Sequence, residues 1–239
     1  MSIENQDDWN PRGSEILENQ REAYDKMRHR CPVAYSQFLG WSLFRHDDIA
    51  VVLADPELYS NTSQFLAIPN GMNPPIHHQY RETLDALFNG TQLNRLEPLA
   101  REVANSLIEP LINAGEIDFV ENFCSPFAMR TLCISLGWPE QQWQVLSAWA
   151  HDSQLDAFDR VPGAGKDLAE FFSNHVKANL KLLRNSPNHA TVTAALLTAE
   201  VHGVRLDDEQ IVSILRNWTA GHGTWHHGIR IKHHRHVSF

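Results

Sequence analysis

The chain has 239 residues, of which 42% are hydrophobic and 21% are charged, a composition typical of a globular domain. Acidic residues outnumber basic ones by 29 to 20, and the net charge of -9 argues against nucleic acid or an anionic membrane surface as a partner. The amino terminus is polar and acidic, and no apolar run is long enough to cross a bilayer. The sequence therefore predicts a cytoplasmic protein without a secretion signal or a membrane segment.

The first sixty residues predict a helix, a β-hairpin and a second helix. Helix formers occupy residues 15–30 and stop before Pro32, because the residue before a proline avoids the α region. Two short apolar and aromatic segments, residues 33–35 and 41–44, predict paired strands. Apolar residues then recur at helical spacing between residues 49 and 53.

The middle of the chain begins with a long loop, predicted over residues 55–75 from its prolines, glycines and asparagines. A helix is expected to begin near Ile76 and to end at Asn89-Gly90, where glycine accepts a left-handed conformation. Pro98 is expected in the first turn of the next helix. Residues 117–120 are interpreted as one strand.

Helix dominates the remainder of the chain. Four helices are predicted, over residues 123–136, 139–155, 166–184 and 189–201. A further helix is expected to start at Asp207, whose side chain and that of Gln210 can form an approximate capping box. The predicted fold class is therefore mainly α (α+β), with a small amino-terminal β-hairpin.

One candidate binding motif follows Pro74-Pro75. His77 and Arg81 are four residues apart, so on a helix they share one face, where two donors can reach adjacent carboxylates. A pair at this spacing also occurs on ordinary solvated helix faces, which is the structural alternative. His78 could take the same role, but it lies about 100° round the helix from His77 and ranks second.

The second candidate motif is the segment Ala220-Gly221-His222-Gly223-Thr224. Its small residues would let a helix backbone approach a flat macrocycle, and the threonine hydroxyl can mark a local opening of the helix. The local alternative is a helix end, because each glycine inside a helix costs about 1 kcal/mol relative to alanine.

Taken in this order, the two motifs resemble those of the cytochrome P450 family. The resemblance runs from about Gln20 to Thr224 and is to the amino-terminal half of a soluble, bacterial-type member, truncated in the oxygen-activating I helix. It implies an incomplete cytochrome P450 fold that lacks the carboxyl-terminal haem-ligand half.

The resemblance also implies roles for individual residues. His77 and Arg81 would hold the haem propionates, and Ala220 and Gly221 would lie against the haem. Thr224 would hydrogen-bond dioxygen on the haem iron and steer its protons. Gly223 stands where the family usually has an acid, so His222 or water would have to replace the usual carboxylate in the proton relay.

The family activity implied is that of a monooxygenase, which inserts one atom of dioxygen into a small organic substrate. Electrons would come from a ferredoxin or a flavoprotein. The haem iron of the family is held by a cysteine thiolate, but Cys31, Cys124 and Cys133 all precede Thr224 in unrelated surroundings. No metal ligand is assigned, and the chain alone is expected to be inactive.

The last fifteen residues, 225–239, differ in composition from the rest of the chain. They contain five histidines and three other basic residues but no acid. We interpret residues 1–224 as the amino-terminal part of a single P450 domain and the tail as the product of a changed reading frame. The alternatives are a non-enzymatic fragment that binds a partner and a metal-binding protein that uses the histidines of the tail.

Overall fold

The computed structural model describes residues 7–114, 117–159, 164–185 and 191–227. Side chains are described for the same residues except 156–159, 164 and 221–227. The chain divides into two compact units, one up to Asn61 and one from Thr62 onward. In the described residues both units are built mainly from helices, and the first contains the predicted β-hairpin. The second contains a short antiparallel pair of strands that was not predicted.

The first unit has the predicted order of helix, hairpin and helix. Its elements are α1 (Ser14–Glu18), α2 (Gln20–Arg30), β1 (Val33–Ser36), β2 (Gly40–Leu43) and α3 (His46–Ala54). The first predicted helix is divided at Asn19, whose side chain accepts a hydrogen bond from the Glu22 N–H and caps α2. A small apolar core holds this unit together, and Trp9 packs edge-on against Phe44 with ring centroids 5.0 Å apart.

The second unit contains the remaining elements in chain order. They are α4 (Ile76–Asp85), α5 (Gly90–Ile108), α6 (Ser125–Leu136), α7 (Trp143–Asp159), α8 (Ala164–Arg184), α9 (Val192–Leu196), β3 (Glu200–Val201), β4 (Val204–Arg205) and α10 (Asp208–His227). The predicted start of α4 at Ile76 is confirmed. The helices predicted over residues 123–136, 139–155 and 166–184 are confirmed to within a few residues at each end.

The helical segment formed by α4 and the turn after it ends at Phe88, next to Asn89-Gly90 as predicted, but no left-handed glycine ends it. Asn89 has a φ of -76° and caps the start of α5, where its side chain accepts from the Gln92 N–H at 3.1 Å. The same residue type that favours helix ends also caps helix starts, and here the capping role prevails. Because α5 therefore begins at Gly90, Pro98 lies inside the helix and not in its first turn.

The predicted strand at residues 117–120 is also wrong. Asp118 accepts hydrogen bonds from the N–H groups of Val120 and Glu121, both at 3.0 Å, and so opens a π-helical turn, Val120–Cys124, that leads into α6. An aspartate that caps the following N–H groups favours helix over strand. The apolar residues of this segment are compatible with either a strand or a helix.

The helix predicted over residues 189–201 is shorter than expected. Only Val192–Leu196 is helical, and Glu200–Val201 instead pairs with Val204–Arg205 as a short hairpin. The connecting residues His202 and Gly203 both have positive φ, 53° and 74°. A glycine accepts that conformation without strain, so Gly203 favours a hairpin turn here. The hairpin takes up the last residues of the segment that was predicted to be helical.

The core of the second unit is centred on α10, which packs against α6, α7 and α8. Ile211, Ile214 and Leu215 on α10 are fully buried. The predicted capping box is confirmed: the Asp207 N–H donates to Gln210 Oε1 at 2.9 Å and the Gln210 N–H donates to Asp207 Oδ1 at 2.8 Å. In the described part of the chain, no helix is long and apolar enough to cross a membrane.

Candidate functional site

His77 and Arg81 share a face of α4, as their spacing predicts. His77 is half-buried and Arg81 is exposed. Counted at 100° per residue, the pair lies roughly 60° round the helix from the buried residues Tyr80 and Leu84. Arg81 Nη2 lies 2.6 Å from Asp85 Oδ1, one turn along the same helix. Because both side chains of this ion pair are about half exposed, it contributes little stability and can be exchanged for another anion.

The alternative residue His78 is less well placed for this role. Its ring lies edge-on to that of His77, with centroids 5.6 Å apart, and the side chain is exposed. By helical geometry it lies roughly 160° from Tyr80, on the side of α4 that faces away from the core. The ranking of His77 above His78 therefore agrees with their burial.

Two side-chain contacts connect α4 and the turn after it to α10. Gln210 Nε2 donates to the phenol oxygen of Tyr80 at 2.8 Å. Further along both segments, Phe88 packs edge-on against Trp218 with ring centroids 5.2 Å apart. Burial, and secondarily the charge of Asp207, raise the pKa of Tyr80, so its hydroxyl stays protonated. The two predicted motifs thus lie on segments that touch each other.

A polar face of α10 holds part of the predicted long loop. Ser213 Oγ donates to the Leu66 carbonyl and accepts from the Ile68 N–H, both at 2.9 Å. Asn217 Nδ2 donates to the Ile68 carbonyl at 2.9 Å, and Arg216 Nη2 donates to the Leu66 carbonyl at 2.5 Å. We call these three α10 residues the loop anchor. They fix residues 66–68 against the helix, with Ile68 fully buried.

The helical register places Ala220 on the same face as Ser213 and Asn217. Ala220 is half-buried and packs against the core of the second unit. The helix continues without interruption to His227, which excludes the local alternative of a helix end at residues 221–223. The predicted site residues Gly221 and Thr224 belong to this helix, and their side chains lie outside those described.

The loop anchor was not predicted from the sequence. Ser213, Arg216 and Asn217 follow the spacing i, i+3, i+4, which puts three polar side chains on one face of an otherwise apolar helix. This pattern could have indicated a contact. Its partners could not have been found in this way, because they are backbone atoms about 150 residues away.

Burial disfavours the thiolate form of two of the three cysteines. Burial raises the pKa of Cys133 to about 12, and the charge of Glu140 adds to the shift. Burial also raises the pKa of Cys124. Cys31 belongs to the first unit, where its Sγ lies 3.2 Å from the Val33 carbonyl. Among the side chains that are described, there is no group of three or more metal-binding residues.

Comparisons with known proteins point to one family. No family model matches the chain. The chain is 29% identical over 202 residues to cytochrome P450 109 of Bacillus spizizenii, covering 79% of this chain and 49% of that protein. It is 26% identical over 228 residues to a vitamin D(3) 25-hydroxylase of Pseudonocardia autotrophica, covering 87% of this chain and 55% of that protein. The chain spans about half the length of the curated relatives it matches.

Comparison with solved structures identifies the fold. The open form of cytochrome P450 Eryk from S. erythraea superimposes with a TM-score of 0.69 at 22% identity, covering 84% of this chain and 53% of that chain. Other relatives in sequence include one protein named as a hydroxylase and one named as an epoxidase. The described architecture is therefore an incomplete cytochrome P450 fold.

Proposed function

We propose that the chain is part of a cytochrome P450 and that it carries the haem-facing half of a monooxygenase site, as its similarity to about half the length of such proteins supports. In this proposal His77 and Arg81 bind the haem propionates, while Ala220 and Gly221 lie against the porphyrin. Thr224 is the proposed catalytic residue. These assignments extend the resemblance of the two motifs to the residues of this chain.

The observation that carries the proposal is the direct contact between the segments that bear the motifs. More than 100 residues separate Arg81 from Ala220 in the sequence. Nevertheless, Tyr80 on α4 binds Gln210 on α10, and Phe88 packs against Trp218. These contacts support a shared site because they join two segments that are remote in the sequence.

The residues of α4 fit the carboxylates of a haem. Arg81 presents a planar set of donors that can bind a carboxylate at two points, and its exposed pair with Asp85 is weak. His77 lies one turn away on the same face and can donate a further hydrogen bond. Ala220 lacks a bulky side chain, which allows close approach of a flat ring to α10.

A haem held by a cysteine thiolate would supply the chemistry that cleaves the O–O bond in this family. The raised pKa values of Cys124 and Cys133 make them poor candidates for that thiolate. We therefore propose that the chain alone is inactive and that insertion of one oxygen atom into a small organic substrate belongs to the complete protein. Its electron donor would be a ferredoxin or a flavoprotein, as the family resemblance implies.

A haem titration followed by absorbance tests this function. We expect the full chain to bind one haem saturably, and the reduced, carbon monoxide-treated complex to lack the thiolate-type band. Cys124→Ser and Cys133→Ser serve as controls and should give the same spectrum as the unmodified chain. The absence of saturable binding would contradict the haem site, and a thiolate-type band that disappears in either serine variant would contradict the assignment of inactivity.

A further inference from the structure

Arg216 is a half-buried cation on the face of α10 that carries Ala220. Its hydrogen-bond partner is the backbone carbonyl of Leu66. Within the set of described side chains, no carboxylate forms an ion pair with it. Burial lowers the pKa of Arg216, which is the mark of a charge that has lost water without gaining an anion.

The loop does not require this charge to stay in place. Ser213 and Asn217 supply three of the four hydrogen bonds that hold residues 66–68, and the Leu66 carbonyl already accepts from Ser213. A neutral donor would also satisfy a neutral carbonyl. A guanidinium has five N–H donors, so most of those on Arg216 remain for another acceptor.

The surroundings of Arg216 indicate the chemistry of that acceptor. Phe65 and Leu66 lie at the segment that Arg216 contacts, and they are 78% and 47% exposed. Exposed apolar side chains beside an uncompensated guanidinium match a molecule with an apolar body and an anionic end. Ala220 lies one turn further along the same helix face.

We propose that Arg216 is a specificity-determining residue that binds the carboxylate of an apolar organic acid, whose apolar part lies against the exposed side chains of Phe65 and Leu66 beside α10. The proposal deepens the proposed function, on which it rests, by naming organic acids as the substrate class. Ser213 and Asn217 position the loop, and Arg216 selects the charge of the ligand.

The test is a ligand-observed NMR titration of the full chain with octanoate and with octanamide, its neutral counterpart. The unmodified chain should bind octanoate more tightly than octanamide. Arg216→Gln should weaken octanoate binding by roughly tenfold to a hundredfold, the loss expected for a charge-assisted hydrogen bond, and leave octanamide binding unchanged. Circular dichroism establishes that each variant retains its helix content.

Two control variants separate charge recognition from loop positioning. Arg205→Gln removes an exposed arginine paired with Glu200 and should leave both ligands unaffected. Ser213→Ala removes two loop hydrogen bonds without changing the charge, so the preference for octanoate should persist. Equal binding of the acid and the amide by the unmodified chain, or loss of the preference in Ser213→Ala as large as in Arg216→Gln, would overturn the proposal.

A haem titration of Arg216→Gln distinguishes this inference from the proposed function. Its haem affinity should equal that of the unmodified chain, because Arg216 is assigned to the substrate and not to the propionates. If haem binds and octanoate is not discriminated from octanamide, the substrate class is wrong and the haem site stands. If Arg216→Gln weakens haem binding itself, Arg216 belongs to the cofactor and the inference fails.

Discussion

Replacement of Phe172 by alanine should lower the free energy of unfolding by about 3–5 kcal/mol, the range for removal of a buried aromatic side chain. Phe172 on α8 is fully buried, and its ring lies 4.2 Å from that of Trp149, measured between centroids. Alanine leaves a cavity that neighbouring helices can fill only in part. The measurement is urea-induced unfolding followed by circular dichroism.

The adjacent residue provides a matched control. Phe171 occupies the next position of the same helix but is 46% exposed. Phe171→Ala removes the same atoms from a surface position and should cost a small fraction of the loss seen in Phe172→Ala. Similar losses in the two variants would contradict the burial of Phe172 as a major contribution to the stability of the core.

Replacement of Gly137 by alanine should also be strongly destabilising, by roughly 2–5 kcal/mol in the same unfolding experiment. Gly137 ends α6 with a φ of 76°, a conformation that costs an alanine about 1–2 kcal/mol. The added Cβ would in addition lie 2.6 Å from Cβ of Thr191, closer than atoms can approach. Thr191 caps α9 through its side chain, so its displacement would disturb the start of that helix.

Gly203→Ala separates conformational strain from steric overlap. Gly203 has a nearly identical φ of 74°, but a Cβ added there meets no atom within 4 Å. This variant should lose only the strain of about 1–2 kcal/mol. Equal losses for Gly137→Ala and Gly203→Ala would mean that the close approach of Gly137 to Thr191 does not exist in solution.

The elements that could be predicted are those whose signals agree with one another. Asp207 and Gln210 together predict a capped helix start, and the apolar period of α10 that follows requires the same boundary. At Asn89-Gly90 the local signal has two meanings, because asparagine caps starts as readily as it favours ends. Only the packing of the neighbouring helices decides which of the two roles is used.

The candidate site could likewise be predicted only in part from the sequence. The spacing of His77 and Arg81 and the small residues around Ala220 are local patterns, so the sequence could indicate them. The contacts between the segments that carry these residues, such as Tyr80 with Gln210, join residues 130 positions apart and have no local signature. The interpretation of residues 225–239 as an out-of-frame tail stays a prediction, because residues 228–239 and the side chains of 225–227 lie outside those described.

The ion pair between Arg81 and Asp85 has a consequence for the proposed site. A carboxylate that takes the Nη2 donor of Arg81 replaces Asp85, whose side chain is 58% exposed and is easily rehydrated. The exchange therefore costs little, and the gain comes from a charge-assisted contact that can use two donors of the guanidinium. We therefore expect the contribution of α4 to haem affinity to come from its contacts with the propionates and not from the apolar ring alone.

The most direct test compares haem with its dimethyl ester, in which both propionates are blocked. The unmodified chain should bind haem about tenfold to a hundredfold more tightly than the ester, and the double variant His77→Ala/Arg81→Gln should lose most of that preference. Arg101→Gln, which removes an exposed arginine paired with Glu97 at the same i, i+4 spacing, should retain it. An equal preference for the free acid in the unmodified chain and the double variant would contradict the assignment of His77 and Arg81 to the propionates.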